Sequence, residues 1–419
     1  MKVAFHTFGC KLNQVETEAI AEMFAAEGFQ ISDEREADIF FVNTCAVTHR
    51  AEAKSRRLLR RLGREHPGKV IAAGCLAQLK PQKVDGFADI KLILGTKERM
   101  QVVEILREYN HQKIYVSSNP VGEFFHSGGN RFHSRSFIKI QDGCDRHCSY
   151  CIVPELRGPS VSLPLSLVLQ QVKKALEHIP REIVLTGVDI GSFRDCDGAI
   201  LADLLVELVK LPELVRLRLS SVEPPGFTSD LVEICAASEK ICPHFHLPLQ
   251  SGSNKILRKM NRGYTAEEYL ELASSLADKI DGIRIGADVI VGFPGETESD
   301  FKRTIDLIEK SPITHLHIFP FSPRPGTGFS EQDDTVHPVV KSERARCLKT
   351  LIAERNRRFH QNSLGKVKTV FFEENGSKGG FTDNYIRVFL PGEALTGFHP
   401  IRLKSLHPDR NGVIGEIIK

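Results

Sequence analysis

Residues Phe137–Cys151 read FIKIQDGCDRHCSYC, an apolar strand that runs directly into three cysteines spaced C-x-x-x-C-x-x-C. The pattern places Cys144, Cys148 and Cys151 in a loop at the carboxyl end of a strand, where parallel βα folds hold their ligands. Three such thiolates can bind three irons of a four-iron cluster and leave the fourth iron open to a small molecule. The alternative is structural zinc, which needs a fourth Cys or His, and His147 lacks the usual spacing for that role.

This strand opens a series of βα units. Six candidate strands start near Phe137, Ile183, Val215, His244, Ile283 and His315. Because each is followed by a helical or loop stretch, the series predicts six βα units. Six units form an open or partial barrel rather than a closed eight-stranded one.

The first hundred residues follow a similar alternation. Three apolar strands are predicted at Val3–Thr7, Asp38–Asn43 and Lys69–Ala73, with helices at about 13–27 and 50–62. Strands alternating with helices predict a parallel, doubly wound sheet. The chain is therefore expected to be an α/β protein.

Three further cysteines share one position in this N-terminal pattern. Cys10, Cys45 and Cys75 each lie two or three residues beyond a predicted strand. Loops of this kind converge on one edge of a parallel sheet, so these thiolates are expected to meet there and could bind a second cluster. The alternative is that they are small buried hydrophobes.

The end of the chain has a different pattern. Short alternating strands are predicted at Lys368–Phe372, Tyr385–Phe389, Ile401–Leu406 and Val413–Ile418, separated by turn residues. They predict a small antiparallel β-barrel. We expect domains at 1–112, 134–364 and 365–419.

Composition restricts the class of protein. Of 419 residues, 41% are hydrophobic and 26% are charged, which is an ordinary globular balance. We find no apolar run long enough for a bilayer and no secretory signal, so a cytoplasmic protein without a membrane partner is expected. Thiols stay reduced in that compartment, and ten cysteines then indicate metal or redox chemistry.

One predicted helix is strongly basic. Between Arg50 and Arg64 there are seven basic residues and one acid, Glu52. Five of the basic residues recur at helical spacing and form a stripe: Arg50, Lys54, Arg57, Arg61 and Arg64. Such a stripe is typical of contacts to nucleic-acid phosphates, and a solvated charged face is the alternative. With one acid in the helix, internal salt bridges are not expected to neutralise it.

A second grouping of Cys and His lies within twelve residues and could be a zinc site: Cys235, Cys242, His244 and His246. However, the two histidines fall on a predicted strand and would face one side of it. Core packing or a cofactor contact is the favoured interpretation.

The phrases around the cysteines resemble the methylthiotransferase family of radical S-adenosylmethionine enzymes over essentially the whole chain. The matching stretches are 7–14 (TFGCKLNQ), 42–48 (VNTCAVT), 73–75 (AGC), 185–188 (LTGV), 247–253 (LPLQSGS) and 288–297 (DVIVGFPGET). The resemblance implies a radical S-adenosylmethionine barrel in the middle of the chain and an RNA-binding TRAM domain at its end.

The resemblance also implies the cofactors. Cys144, Cys148 and Cys151 would hold a [4Fe-4S] cluster that binds and cleaves S-adenosyl-L-methionine. Cys10, Cys45 and Cys75 would hold a second [4Fe-4S] cluster that carries the sulfur. A second S-adenosylmethionine would methylate that sulfur, and an electron donor of flavodoxin or ferredoxin type and a sulfur source are expected as partners.

Candidate contacts to S-adenosylmethionine lie at the carboxyl ends of the predicted barrel strands: Thr186, Gly187, Glu223, Gln250, Ser251 and Asp288. Each of them could instead be a turn or packing residue. Leu163 and Val161 stand where related sequences usually carry basic residues, which puts any contact from those positions in doubt.

Within the family, the stretch 47–57 (VTHRAEAKSRR) most resembles the branch that acts on N6-threonylcarbamoyladenosine beside the anticodon of tRNA. The alternatives are methylthiolation of isopentenyladenosine in tRNA or of a ribosomal protein aspartate. A hypothesis of another class is a non-catalytic iron–sulfur protein that binds RNA or transfers electrons.

Overall fold

The architecture is taken from a computed structural model of the chain. It describes residues 1–108, 112–121, 124, 135–177, 182–329, 335–373, 379–392 and 394–418. No helix within these ranges is both long enough and apolar enough to cross a bilayer.

The N-terminal part is a six-stranded parallel sheet with strand order β2-β1-β3-β4-β5-β6. The strands are β1 (Lys2–Thr7), β2 (Gln30–Ile31), β3 (Ile39–Thr44), β4 (Val70–Gly74), β5 (Ile90–Leu94) and β6 (Ile114–Tyr115). Its helices are α1 (Lys11–Ala26), α2 (His49–Glu65), α3 (Cys75–Leu79), α4 (Pro81–Asp85) and α5 (Val102–Arg107).

Burial explains this sheet. Every side chain of β3 and β4 is buried, as expected for strands covered on both faces. The predicted parallel, doubly wound sheet is confirmed. The third unit differs from the first two, because two short helices, α3 and α4, follow β4 where one long helix would repeat the pattern.

The middle part contains six parallel strands, as predicted: β7 (Ser136–Lys139), β10 (Glu182–Thr186), β11 (Arg216–Leu219), β12 (His244–His246), β13 (Arg284–Val291) and β14 (Ile313–Pro320). A hairpin of β8 (Gln141–Asp142) and β9 (Val161–Ser162) follows β7. The helices are α6 (Val153–Arg157), α7 (Leu165–Leu176), α8 (Leu201–Val209), α9 (Ser229–Ala237), α10 (Asn254–Lys259), α11 (Ala266–Lys279), α12 (Glu298–Lys310) and α13 (Pro338–Gln361).

The six strands form a partial barrel. They hydrogen-bond as two sheets, β11-β10-β7 and β12-β13-β14, and the amide of Cys242 bridges them by donating to the carbonyl of Leu217 at 2.8 Å. Residues on one face, such as Ile183, Leu185 and Phe245, pack against the helices. Since side chains alternate along a strand, the other face lines an interior lumen.

The C-terminal part is a closed five-stranded barrel of β15 (Val367–Phe372), β16 (Gly379–Thr382), β17 (Arg387–Phe389), β18 (Gly397–Leu406) and β19 (Val413–Ile417). It differs from the predicted barrel in two ways. The strand β16 was not predicted, because its two glycines hide the strand pattern. In addition, β17 pairs with β19 in parallel, whereas the other pairs are antiparallel.

This small barrel docks at the amino-terminal end of the middle strands. Arg216, the first residue of β11, donates to the carbonyl of Thr369 at 2.7 Å. Arg284, the first residue of β13, donates to the carbonyl of Tyr385, whose ring stacks on His244 with centroids 4.8 Å apart. The C-terminal barrel therefore closes the floor of the lumen.

A buried ionic cluster joins the N-terminal sheet to the middle barrel. Glu16 on α1 contacts Arg99 at 2.6 Å, Lys139 at 2.9 Å and Arg157 at 3.0 Å. Asp142 completes the cluster by contacting Lys139 at 2.6 Å and Arg157 at 2.8 Å. All five side chains are buried, and the three cations hold the pKa of the Glu16 carboxyl at about 2 against the effect of burial.

Replacing Glu16 with Gln should destabilise the protein strongly. The substitution keeps the shape but leaves three buried cations facing one carboxylate, and breaking a buried pair in this way typically costs about 3–5 kcal/mol. Urea unfolding followed by circular dichroism measures the loss, because the chain contains no Trp for fluorescence. The matched control is Glu104→Gln at an exposed position of the same domain, expected within about 0.5 kcal/mol of wild type. Equal effects of the two substitutions would contradict the role of the cluster.

Candidate active site

The C-x-x-x-C-x-x-C loop lies at the carboxyl end of β7, as predicted. Cys144 is held by its amide, which donates to the carbonyl of Gly158 at 3.0 Å, and Cys151 donates to the carbonyl of Cys148 at 3.0 Å. Burial raises the pKa of Cys144 to about 11 and that of Cys151 to about 12. Thiols in this condition are neutral unless a metal displaces the proton, because a buried thiolate needs a compensating cation.

A network of contacts centred on Arg262 holds this loop in place. The guanidinium of Arg262 donates to Sγ of Cys148 at 3.2 Å and to Oη of Tyr150 at 3.3 Å. It also pairs with Glu223, which follows β11. Burial raises the pKa of the Glu223 carboxyl, and the charge of Arg262 opposes that shift. The loop is thus fixed to the turn after α10 and to the end of β11.

The sequence did not single out Arg262 or its neighbour Asn261. Asn261 adopts φ +56° and donates to the carbonyl of His147 at 2.8 Å. The only signal was the Asn-Arg-Gly turn at 261–263 after a helix, which is too short to indicate a role.

Of the predicted cofactor contacts, Thr186 and Gly187 lie beside the cysteine loop. Thr186 ends β10, and its carbonyl accepts from the amide of Ile140 at 2.9 Å. A Cβ on Gly187 would lie 2.8 Å from Oε1 of Gln141 and 3.0 Å from its carbonyl oxygen, so a side chain there would displace Gln141. Their contact with S-adenosylmethionine stays a prediction.

Gln250, Ser251 and Asp288 lie at the far side of the lumen. Gln250 adopts φ +64°, a conformation that is costly for a residue with a side chain and is common at ligand sites. Ser251 is fully buried, and its Oγ lies 3.4 Å from Oγ1 of Thr304 on α12, which gives it a packing role. Oδ1 of Asp288 lies 3.0 Å from Nε2 of His246.

The structure also brings the three N-terminal cysteines to one edge of the sheet. Cys10 caps α1, Cys45 follows β3, and Cys75 begins α3 directly after β4. Gly9 has φ +101°, and a Cβ there would lie 2.9 Å from Sγ of Cys45. Glycine at this position therefore allows the Cys10 loop to approach Cys45.

The ionic cluster acts on these thiols. Burial raises the pKa of Cys45 to about 12, with the neighbouring Cys75 adding to the effect. Burial also raises the pKa of Cys75, but the guanidinium groups of Arg157 and Arg99 oppose that rise. Arg157 belongs to the middle barrel, so one domain supplies positive charge to the thiols of the other.

The two cysteine triads fit iron–sulfur clusters better than they fit single metal ions. Among the described residues, the one compact group of His, Cys, Asp and Glu ligand atoms is His246, Asp288 and His317, within 4.8 Å of one another. Neither cysteine triad forms a group that compact. Three thiolates spread over a wider space suit a multi-iron cluster, in which each thiolate binds a different iron.

The two cysteines near His244 do not form a metal group. Cys235 and Cys242 are buried, and burial raises the pKa of both thiols to about 12. His244 stacks on Tyr385. Cys235 and Cys242 are therefore packing residues of the core.

The basic stripe on α2 is mostly solvent-facing. Arg50, Lys54, Arg57 and Arg64 are exposed, and the last three line a shallow cleft together with Phe8. The buried Glu52 anchors the helix by accepting from Arg324 at 2.8 Å. The stripe is thus held in a fixed orientation against the barrel.

Arg61 forms salt bridges, which the sequence did not lead us to expect within the stripe. It pairs with Glu34 at 2.6 Å and with Glu65 at 3.0 Å. The argument from sequence missed Glu34, which lies far away in the chain, and Glu65, just beyond the segment considered. Arg61 is half-buried and its charge is partly neutralised. The other four residues of the stripe are therefore better placed to contact RNA.

Leu163 is buried in the core of the middle barrel. Its amide donates to the carbonyl of Ile140 at 2.9 Å. Leucine at this position packs the hairpin against the barrel.

Two family descriptions match the chain. The radical SAM superfamily matches residues 138–308, and a family described as uncharacterized protein family UPF0004 matches residues 2–95.

Curated relatives match nearly the full length. A threonylcarbamoyladenosine tRNA methylthiotransferase MtaB from Aquifex aeolicus is 36% identical, with 95% of this chain and 98% of the relative covered. The MtaB protein of Bacillus subtilis is 34% identical over 93% of this chain and 90% of the relative. A tRNA-2-methylthio-N(6)-dimethylallyladenosine synthase from Thermotoga petrophila is 35% identical over 92% and 89%.

Solved structures show the same fold. The radical S-adenosylmethionine methyltransferase TsrM from Kitasatospora setae, with cobalamin and a [4Fe-4S] cluster bound, matches with TM-score 0.58 at 16% identity, covering 78% of this chain and 76% of that one. The cobalamin-dependent radical enzyme OxsB matches with TM-score 0.51 at 12% identity, covering 84% and 56%.

The matched superfamily uses S-adenosylmethionine and a [4Fe-4S] cluster, and the cysteine loop after β7 supplies ligands suited to that cluster. Two further findings show which family within this superfamily the chain belongs to. Residues 2–95 match the second family description, and the Aquifex aeolicus methylthiotransferase is 36% identical over 95% of this chain. The chain is an enzyme and belongs to the radical S-adenosylmethionine methylthiotransferase family.

Proposed function

We propose that this enzyme transfers a methylthio group to carbon 2 of N6-threonylcarbamoyladenosine, next to the anticodon of tRNA. The observation that carries the proposal is that helix α1 joins the loops of the two cysteine triads. Helix α1 begins at the Cys10 loop and packs on β7, which ends at the Cys144 loop. The names of several relatives of 34–36% identity support the same substrate.

We assign a [4Fe-4S] cluster to each triad. The cluster on Cys144, Cys148 and Cys151 supplies reductive cleavage of S-adenosylmethionine when it is bound, and the cluster on Cys10, Cys45 and Cys75 carries the sulfur. Arg262 places positive charge beside Cys148 of the first triad, and Arg157 places positive charge beside Cys75 of the second. Such a charge favours the thiolate form. Reaction with two molecules of S-adenosylmethionine is part of the proposal.

The residues of the chain orient the substrate and exclude water. The C-terminal barrel closes the floor of the lumen through Arg216, Arg284 and Tyr385, and the N-terminal sheet covers its side through α1. A closed site of this kind protects reactive species from solvent. Thr186, Gly187, Glu223, Gln250 and Asp288 are proposed to position S-adenosylmethionine, whereas Ser251 is proposed to support Gln250 by packing.

We assign residues 1–112 to the sulfur-carrying domain, 134–364 to the radical domain and 365–419 to an RNA-binding TRAM domain. The exposed stripe of Arg50, Lys54, Arg57 and Arg64 is proposed to bind tRNA phosphates. An electron donor of flavodoxin or ferredoxin type and a sulfur source are further partners. A tRNA substrate places the enzyme in the cytoplasm.

A second candidate substrate is dimethylallyladenosine in tRNA. It is favoured by relatives that carry that name, one of them 35% identical over 92% of this chain. The two substrates differ in polarity, since the dimethylallyl group is an alkyl chain and the threonylcarbamoyl group is polar and anionic.

Mass spectrometry of tRNA nucleosides tests the proposal. Deletion of the gene should abolish 2-methylthio-N6-threonylcarbamoyladenosine and leave its unmethylthiolated precursor to accumulate. The wild-type gene should restore the product, and Cys148→Ala should not, because one thiolate of the radical cluster is lost.

Cys347→Ala is the matched control, because Cys347 is an exposed thiol on α13 outside both triads. It should restore the nucleoside fully. An unchanged level of this nucleoside after deletion, with loss of the dimethylallyl product, would instead establish the second candidate.

The proposed RNA stripe has its own test. Lys54→Gln with Arg57→Gln should weaken tRNA binding and lower the slope of log affinity against log salt by about two, roughly one for each lost phosphate contact. The measurement is a salt titration of binding to purified tRNA. Lys173→Gln with Lys174→Gln removes the same charge from exposed positions on α7 and should leave the slope unchanged. Equal slopes for both double variants would exclude the stripe as the RNA-binding face.

A further inference from the structure

The lumen of the partial barrel carries many polar side chains and more cations than carboxylates. Its wall consists of the residues that alternate with the apolar core positions on each strand. Those that carry charge or imidazole are Lys139, Glu182, Arg216, Arg218, His244, His246, Arg284, Asp288, His315 and His317. Such a wall suits a polar, anionic group better than an alkyl group.

Lys11 reaches this lumen from the N-terminal domain. It is the first residue of α1 and lies one turn before Val15, so the two share a helix face. Val15 packs against Phe137 and Val184 on the lumen wall. Val184 pairs in register with Arg218, so the face of α1 that carries Lys11 is turned toward Arg218.

Lys11 has no hydrogen-bond or ion-pair partner among the residues that the structure describes. The carboxylates of the lumen are already engaged by other side chains. Glu182 accepts from Arg218 at 2.7 Å and 3.0 Å, and a carboxylate oxygen of Asp288 lies 3.0 Å from Nε2 of His246. The lysine therefore faces the lumen without a direct ion pair.

The floor of the lumen has a surplus of positive charge. Glu182 is shared by Arg135, Arg216 and Arg218. Nη1 of Arg218 is buried and has no hydrogen-bond partner within the described part of the chain. A buried N–H donor without a partner is costly, and a bound acceptor would remove that cost.

The pKa values of two side chains reflect this positive charge. Burial alone would raise the pKa of Tyr385, yet Arg135, Lys11 and Arg218 hold it below its usual value. Burial lowers the pKa of His244 strongly, and Arg218, Arg284 and Lys11 lower it further.

We infer that Lys11 binds a carboxylate of the substrate inside the lumen, with Arg218 adding positive potential behind it. The inference rests on the proposed function, because the threonylcarbamoyl group carries a free carboxylate at the end of its N6 substituent. A dimethylallyl group offers no charge to Lys11. Lys11 is thus a specificity-determining residue, and it makes and breaks no covalent bond.

Binding of short anticodon-loop RNAs to the cluster-loaded enzyme tests the inference. Three RNAs carry, at one position, N6-threonylcarbamoyladenosine, its neutral carboxamide, or dimethylallyladenosine. The wild-type enzyme should bind the acid about ten- to a hundredfold more tightly than the carboxamide, the usual range for a charge-assisted hydrogen bond. Lys11→Met should reduce this ratio below about threefold, and Lys11→Arg should retain most of it.

The ratio of two Kd values is the readout, because it is unaffected by a change in the active fraction of a variant whose substitution lies beside Cys10. Lys54→Gln serves as the control, since it should weaken binding of all three RNAs equally. A full preference for the acid in Lys11→Met, or equal binding of acid and carboxamide by wild type, would overturn the inference. In either case the proposed function stands if the enzyme methylthiolates the threonylcarbamoyl RNA, and it fails if that RNA is not methylthiolated.

Discussion

The structure depends on one buried carboxylate, Glu16, which neutralises cations from two domains. Arg99 comes from the N-terminal sheet, and Lys139 and Arg157 come from the middle barrel. Each of these charges would be costly to bury alone, so the cluster favours docking of the two domains in this register. The cysteine-bearing edge of the sheet is thereby fixed beside the carboxyl ends of the barrel strands.

The same cluster links architecture to chemistry. Arg157 follows the Cys144–Cys151 loop by one short helix, and its charge acts on Cys75 of the other triad. A buried thiolate is favoured by such a neighbour, which suits metal binding. The chain thus uses one arginine both to dock its domains and to support the second set of thiols.

Much of this arrangement was predictable from local pattern. Strand–loop–helix alternation indicated where the cysteines lie in the fold. Cys45 and Cys75 come directly after β3 and β4, and the Cys10 and Cys144 loops follow β1 and β7 within a few residues, so no long-range information is needed. Pairings between distant segments were not predictable. Arg61 is partly neutralised by Glu34, and Arg262 reaches Cys148 from the turn after α10. Only the folded chain creates these contacts. Lys11 was visible in a matched stretch, but its orientation toward the lumen depends on how α1 docks.

The central claim is that the two cysteine triads bind separate four-iron clusters, and iron and sulfide analysis of anaerobically reconstituted protein tests it most directly. The account predicts about eight irons per wild-type chain and about four in either Cys75→Ala or Cys148→Ala, with the two losses additive in the double variant. Cys347→Ala should retain the wild-type content. Full iron content in Cys75→Ala, or loss of all iron from that single substitution, would contradict two independent clusters.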